Sequence, residues 1–253
     1  MNTFSFKGKS VLVTGGNRGI GAATVLLFAK LGADVAFNYR SHEDEAEALY
    51  QLLQSNGGRY FTAKCDVGSY DQAKNFVEKT IEKFSKIDIL VNNAGIWEYG
   101  PLATMSLDQW HRMIQVNLDG AFYFTQLVVK HMKKNHIAGR IIHVSSTAAQ
   151  RGEANYSHYA ATKGAIISFT KSLAVELGRD HITVNCVAPG WVHTDMTETA
   201  IRTATQKIAS GFPDGRIPVP GDIAGPIVFL ASDWANSING EILNVNAGSV
   251  LCG

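Results

Sequence analysis

No run of the 253-residue chain approaches the roughly 20 consecutive apolar residues that a bilayer-crossing helix needs. Cysteine is scarce as well. Cys65, Cys186 and Cys252 are odd in number and far apart, which excludes a disulfide framework or a close metal cluster and fits a reducing compartment. An excess of either charge is also missing, with 23 Lys and Arg against 22 Asp and Glu, so no basic field exists to hold a nucleic acid or an anionic membrane. The first residues lack a basic stretch followed by a long apolar run, so a cytoplasmic location is expected. Low-complexity tracts, short repeats and Pro/Gly/Ser-rich linkers are absent, which argues for one domain over residues 1–253 with small-molecule partners.

What is present is alternation. Short runs of Val, Ile and Leu alternate with longer amphipathic stretches, the pattern of βα units around a buried parallel sheet. Strands are predicted at Ser10 to Thr14, Asp34 to Tyr39, Arg59 to Ala63, Ile87 to Val91, Arg140 to Val144, Ile182 to Ala188 and Ile242 to Val245. The fold class is therefore α/β: one doubly wound parallel sheet of seven strands, flanked by helices on both faces. Helices are expected to begin near Gly19, Ser41, Ser69, Ser106, Asn155 and Asp222, and Ser41-His42-Glu43-Asp44 has the spacing of a capping box. Residues 191–219, with Pro213, Asp214-Gly215 and Pro218, read as a long loop over the sheet edge and as a substrate lid.

The first strand runs into Thr14-Gly15-Gly16-Asn17-Arg18-Gly19-Ile20-Gly21, a glycine-rich turn opening a helix. Such a turn lets backbone approach a pyrophosphate, and the amides and dipole of the helix start favour its charge. The spacing Gly15, Gly19, Gly21 departs from Gly-x-Gly-x-x-Gly, because Thr24 stands where the third glycine would be. At the end of the second strand, where an acid would bind the ribose hydroxyls of NAD, the sequence reads Phe37-Asn38-Tyr39-Arg40-Ser41. Arg40 and Arg18 are placed to clamp a 2′-phosphate, so NADP(H) is the expected cofactor.

Tyr-x-x-x-Lys occurs at Tyr60/Lys64, Tyr70/Lys74 and Tyr159/Lys163. In a strand this spacing separates the Cα atoms by about 13 Å. On a helix the rise is about 6 Å and both side chains share a face. Tyr159/Lys163 alone follows a strand ending in serines and leads to Pro189-Gly190, at the carboxyl edge where ligands bind. Reduction of a carbonyl needs a hydride to carbon and a proton to oxygen. Tyr159 is the expected proton donor, with Lys163 as the cation that lowers its pKa and Ser146 as the donor to the substrate oxygen. Ser145 competes with Ser146 for that role.

Thr-Gly-x-x-x-Gly-x-Gly, Asn92-Asn93-Ala94-Gly95, Asn117, Ser146, Tyr159-Ala160-Ala161-Thr162-Lys163 and Pro189-Gly190 followed by Thr194 together resemble the short-chain dehydrogenase/reductase family, over essentially the whole chain. The resemblance implies a Rossmann-like fold. It places Gly15, Asn17, Arg18, Gly19, Ile20 and Gly21 at the phosphates, with Tyr39, Arg40 and Ser41 at the adenosine ribose. Asp66 and Val67 then flank the adenine; Asn92, or Asn93 with Ala94 and Gly95, lies along the cofactor; Pro189, Gly190, Val192 and Thr194 meet the nicotinamide end. Lys163 would hold the nicotinamide ribose next to Tyr159. The implied catalytic set is Asn117, Ser146, Tyr159 and Lys163, with Asn117 anchoring a water chain to the lysine.

Within the family, residues 139–196 look most like 3-oxoacyl-[acyl-carrier-protein] reductases, which implies a 3-oxoacyl thioester substrate and a role in fatty acid biosynthesis. A sugar, steroid or small-alcohol dehydrogenase shares the same frame, and a non-catalytic NADP-binding sensor is the alternative of another class. An acidic carrier would need a basic patch, for which Lys130, Lys133, Lys134 and Arg179 are candidates. Trp97, Tyr99, Trp191, His193 and Phe212 either line an apolar pocket or pack on one another. Phe122, Phe124, Phe169 and Leu173 exceed what one sheet-facing stripe needs, and with the family's habit of pairing these helices they suggest a homotetramer.

Overall fold

Alternate residues of a strand face opposite sides of a sheet, and here both sides must be apolar. In β1 (Ser10–Val13) Val11 and Val13 enter one core, with Phe28, Phe37 and Ile227, while Leu12 enters the other, with Phe76, Leu90 and Ile141. The computed structural model describes residues 4–55 and 57–251, so Cys252 lies outside the described residues. Its seven strands are β1, β2 (Asp34–Tyr39), β3 (Tyr60–Lys64), β4 (Ile89–Asn92), β5 (Arg140–Val144), β6 (Thr183–Pro189) and β7 (Ile242–Val245). All pair in parallel in the order β3-β2-β1-β4-β5-β6-β7. Strand order reverses between β1 and β4, which opens a crevice at their carboxyl ends.

The helices are α1 (Gly19–Lys30), α2 (Glu43–Gln54), α3 (Tyr70–Phe84), α4 (Leu107–Ile114), α5 (Gly120–Lys134), the single-turn α6 (Ala148–Arg151), α7 (Ser157–Leu177), α8 (Glu198–Ala209) and α9 (Pro220–Ala231). A π-helical turn, Gln115–Asp119, joins α4 to α5. Ser69 accepts a hydrogen bond from the Gln72 amide at the start of α3. The capping box expected at Ser41 does not form. His42 stands at the α2 N-cap with φ 59° and no side-chain cap, and the helix dipole is instead met by Glu43, Asp44 and Glu45 in the first turn. The reciprocal box belongs to Ser106 and Gln109. Residues 191–219 are not all loop: they contain α8, kinked at Ala204, and a small apolar cluster of Ile201, Phe212 and Ile217.

Of the four apolar residues expected in excess on α5 and α7, Phe124 and Leu173 are buried in the sheet-facing core. Phe169 is partly buried, stacked on His143 with ring centroids 5.5 Å apart, and Phe122 remains open. Phe124 is not surplus, because it packs against Phe76 from α3 and completes a stripe that the sheet requires. Phe124→Ala is expected to destabilise the protein by about 3–5 kcal/mol and Phe122→Ala by about 0.5 kcal/mol or less, measured as urea-unfolding midpoints at constant m-value.

Candidate active site

The crevice between β1 and β4 is a groove of about 390 Å³. Its floor is the glycine turn. Gly15 has φ +61°, and a Cβ on Gly21 would sit 2.1 Å from the Gly15 carbonyl oxygen, so neither position admits a side chain without moving backbone. The turn is stapled from both sides. The Asn38 Oδ1 accepts from the Gly15 amide at 3.0 Å, and the Asn93 Nδ2 donates to the carbonyls of Thr14 and Gly15, each at 3.0 Å. The Thr14 hydroxyl accepts from the amides of Asn93 and Ala94, also at 3.0 Å. No side chain caps the start of α1, so its first amides face the groove. An uncapped helix start, a cradle that a single Cβ would fill and a long groove fit a dinucleotide pyrophosphate.

The expected cofactor residues Gly15, Asn17, Arg18, Gly19, Ile20 and Gly21 line the groove at this end. Tyr39, Arg40, Ser41, Asp66 and Val67 line it as well, Asn93, Ala94 and Thr194 border the glycine turn itself, and Gly95, Pro189, Gly190 and Val192 complete the lining. Asn92 departs from its expected place. Its side chain turns beneath the sheet, where Nδ2 donates to the Thr125 hydroxyl at 2.8 Å, and Asn93 takes the groove position. Both arginines have carboxylate neighbours: Arg18 reaches Asp195 at 3.3 Å and Arg40 lies 3.9 Å from Asp66. Both pairs are largely solvent-exposed, so they hold the guanidiniums only weakly.

At the far end β5 delivers Ser145 and Ser146, and α7 delivers Tyr159 and Lys163 one turn apart on one face. Lys163 is almost fully buried, and its Nζ donates to the Val144 carbonyl at 2.8 Å. The two serines make different contacts. Ser145 donates to the Lys163 carbonyl at 2.8 Å, which ties α7 to β5, while Ser146 lies in the groove near Tyr159, its hydroxyl accepting from the Ala148 amide at 3.1 Å. Asn117 sits in the π-helical turn. Its amide exchanges two hydrogen bonds with the backbone of Ile96, at 2.8 and 2.9 Å, and a Cβ on Gly95 would lie 3.2 Å from Asn117 Oδ1 and 3.4 Å from Lys163 Nζ. Asn117 and Lys163 therefore close on Gly95 together. The rival pairs have no such setting: Tyr60 and Lys64 lie in β3, and exposed Tyr70 starts α3, where Lys74 approaches Glu78.

A family model described as Enoyl-(Acyl carrier protein) reductase matches residues 15–249. The chain belongs to the short-chain dehydrogenase/reductase family. It is 40% identical over 241 residues to a 3-oxoacyl-[acyl-carrier-protein] reductase of Synechocystis sp., covering 95% of this chain and 96% of that one. It is 37% identical over 244 residues to an L-rhamnose 1-dehydrogenase (NAD(P)(+)) of Sphingomonas sp., covering 96% of each. A short-chain dehydrogenase of Burkholderia cenocepacia, solved in complex with NADP, superposes with a TM-score of 0.90 at 35% identity over 96% of this chain and 98% of that one. The protein is thus an oxidoreductase of a family that binds nicotinamide dinucleotides, with the Rossmann-like fold of that family.

The electrostatics of this short-chain dehydrogenase/reductase site correct one expectation. Lys163 does not lower the Tyr159 pKa here: burial pushes the phenol up to about 12, the nearby Ser146 hydroxyl opposes that, and Glu153 adds to it. Desolvation outweighs the cation because the ammonium points at the Val144 carbonyl and sits 5.9 Å from the tyrosine ring centroid. Burial also brings Lys163 down to about 8.

Beneath the pair, a polar chain runs from Asn92 through Thr125 to His143 Nε2 at 3.3 Å, and from His143 Nδ1 to Thr170 at 2.9 Å. Thr170 spends its proton on the Ile166 carbonyl, so it accepts from Nδ1–H, and Nε2 must be the acceptor for Thr125. That arrangement holds His143 neutral, and burial with the nearby Lys163 lowers its pKa to about 3.

Of the five candidate pocket aromatics, Trp97 and Trp191 line the groove. Phe212 is core of the small α8 cluster, Tyr99 is exposed against Tyr156, and exposed His193 donates its amide to Pro218. Sequence reading missed Asn38, Arg112, Arg151, Glu153 and Tyr156. Only Asn38 gave a signal, as an amide inside an otherwise apolar strand.

Because the unfolded chain protonates His143 near pH 6.5 and the folded protein only near 3, stability supplied by neutral His143 is present above pH 6.5 and lost as pH falls toward 3. His143→Gln should flatten the fall of the thermal midpoint between pH 6.5 and 4; an unchanged slope would show that other groups set it.

Proposed function

We propose that this protein interconverts a ketone and its secondary alcohol using NADP(H), with Asn117, Ser146, Tyr159 and Lys163 as the catalytic set. The observation that carries the proposal is the convergence of the Ser146 and Tyr159 hydroxyls with buried Lys163 at one end of a groove whose other end is a glycine cradle. When bound, the nicotinamide supplies a hydride to the carbonyl carbon. Tyr159, protonated at neutral pH, gives its proton to the oxygen; a developing alkoxide is a stronger base than a phenolate held near 12, so the transfer runs downhill. Ser146 donates a second hydrogen bond to that oxygen and fixes its position. Lys163 holds the nicotinamide ribose, and Asn117, across Gly95 from it, anchors the path that returns a proton to the phenolate. A site stripped to binding alone would have no use for a tyrosine and a lysine buried at this price in desolvation.

NADP(H) rather than NAD(H) is supported by the absence of an acid after β2 and by the weakness of the ion pairs that Arg18 and Arg40 would surrender to a 2′-phosphate. The NADP-bound structural relative points the same way. Residues 191–219 act as the lid, with Asp195 and Thr194 meeting the glycine turn from above. Phe122 and Val175, both open to solvent, support pairing of α5 and α7 between subunits of a homotetramer.

The relatives divide on substrate. The reductases of 3-oxoacyl carriers favour an acyl thioester, and the L-rhamnose dehydrogenase favours a sugar. The basic patch that an acidic carrier would seek is partly neutralised, because Lys133 pairs with Asp180 at 2.7 Å.

Tyr159→Phe is expected to cut turnover by about 10²- to 10⁴-fold while leaving NADPH binding intact. Wild-type turnover by that variant would refute the mechanism. NADPH should alter the protein's fluorescence at far lower concentration than NADH, and Arg40→Ala should close most of that gap.

A further inference from the structure

The groove that holds Ser146 and Tyr159 is lined there by two indole rings, Trp97 and Trp191, with Tyr156 behind Trp97. Trp97 and Tyr156 stack with centroids 4.4 Å apart and planes 3° from parallel, and Trp191 meets Trp97 edge-on at 5.6 Å. Among these rings stands a carboxylate. Glu153, partly buried in the turn between α6 and α7, lines the pocket beside Trp97, and the nearby indole favours its ionised form while burial opposes it. It is close enough to Tyr159 and Tyr156 to raise the pKa of both phenols, so it faces the reacting end of the site.

Ionised carboxylates offer about four acceptor positions. What approaches Glu153 must therefore bring donors. An acyl chain laid against it would strip water from the charge and return nothing, a cost that selects against alkyl substrates. A cationic substrate is opposed by Arg151, which lines the same pocket near Glu153, and less by Arg112, whose charge Glu98 answers at 3.2 Å. Neutral hydroxyl groups meet both conditions, and an aromatic wall beside a carboxylate suits the C–H face and hydroxyl edge of a polyhydroxylated molecule.

We infer that Glu153 is a specificity-determining residue that accepts a hydroxyl hydrogen bond from a polyhydroxylated ketone or its alcohol, with Trp97 as the aromatic wall beside it. The inference rests on reading the groove as an NADP(H)-linked carbonyl site and names the substrate class of that site. A site built to bond a hydroxyl discriminates strongly against analogues lacking it.

The test compares NADPH-dependent reduction of a ketopentose with that of a short 3-oxoacyl thioester. Wild-type protein should prefer the ketopentose. In Glu153→Leu the ratio of the two kcat/KM values should fall by about tenfold or more, mainly through the KM for the ketopentose. Glu153→Gln, which keeps an acceptor oxygen, should recover part of the loss and guards against a folding defect in the leucine variant. A wild-type preference for the thioester, or a ratio unmoved by Glu153→Leu, overturns the inference. Binding separates its failure from that of the proposed activity. If neither ketone is reduced, the proposed activity falls, yet quenching of tryptophan fluorescence by xylitol that is lost in Glu153→Leu still supports the hydroxyl site. Absence of quenching in wild-type protein with no turnover overturns both.

Discussion

The Thr14 hydroxyl, accepting the amides of Asn93 and Ala94, joins the ends of β1 and β4 at the place where strand order reverses. A parallel sheet wound in two directions must part there, because the connections leave toward opposite faces. Left alone, such a crevice would splay. The Thr14 and Asn93 bonds fix its width, and the Asn38 bond to Gly15 fixes its floor from the neighbouring strand. Every group in the site is hung from strands so registered, β5 carrying Ser146 and β6 leading to Pro189-Gly190.

A second layer of polar contacts lies where only apolar packing was anticipated. Asn92, Thr125, His143 and Thr170 run through the interior beneath Lys163, each proton direction fixed by the next partner. A buried chain of this kind favours one relative placement of β4, β5, α5 and α7 and penalises others, since a slip breaks the bonds it makes, even though Asn92 Oδ1 has no partner. The Ser145 bond to the Lys163 carbonyl and the Lys163 bond to the Val144 carbonyl extend the same logic to the reacting end. Rigidity at the phenol is thus borrowed from bonds that never touch a substrate.

Legibility in the sequence followed the range of the cause. β2 and β5 match their expected bounds to the residue because burial on both faces leaves an apolar run, and β7 matches although it is a half-buried edge strand. The tyrosine and lysine were chosen among three equal spacings by their position relative to the sheet edge, which is a topological fact that a sequence can carry. What failed depended on matters that spacing does not encode. Ser41 had the right interval for a cap, but His42 took a left-handed conformation and occupied the N-cap. Phe124 looked surplus until α3 supplied Phe76 as its partner. The Tyr159 pKa was inferred from a neighbour's charge, while the direction of that neighbour's ammonium and the depth of burial decided it. Glu153 gave no signal, being one acid in a turn.

The π-helical turn at Gln115–Asp119 adds a residue to what would otherwise be one continuous helix from α4 into α5. One residue turns a helix by about 100°, so the extra one sets the angular phase between everything before it and everything after it. Asn117 meets Ile96 and Phe124 meets Phe76 only while both phases hold. Chain length is therefore as strictly specified here as residue identity. Related sequences should tolerate substitutions across 107–134 far more readily than a one-residue insertion or deletion within it.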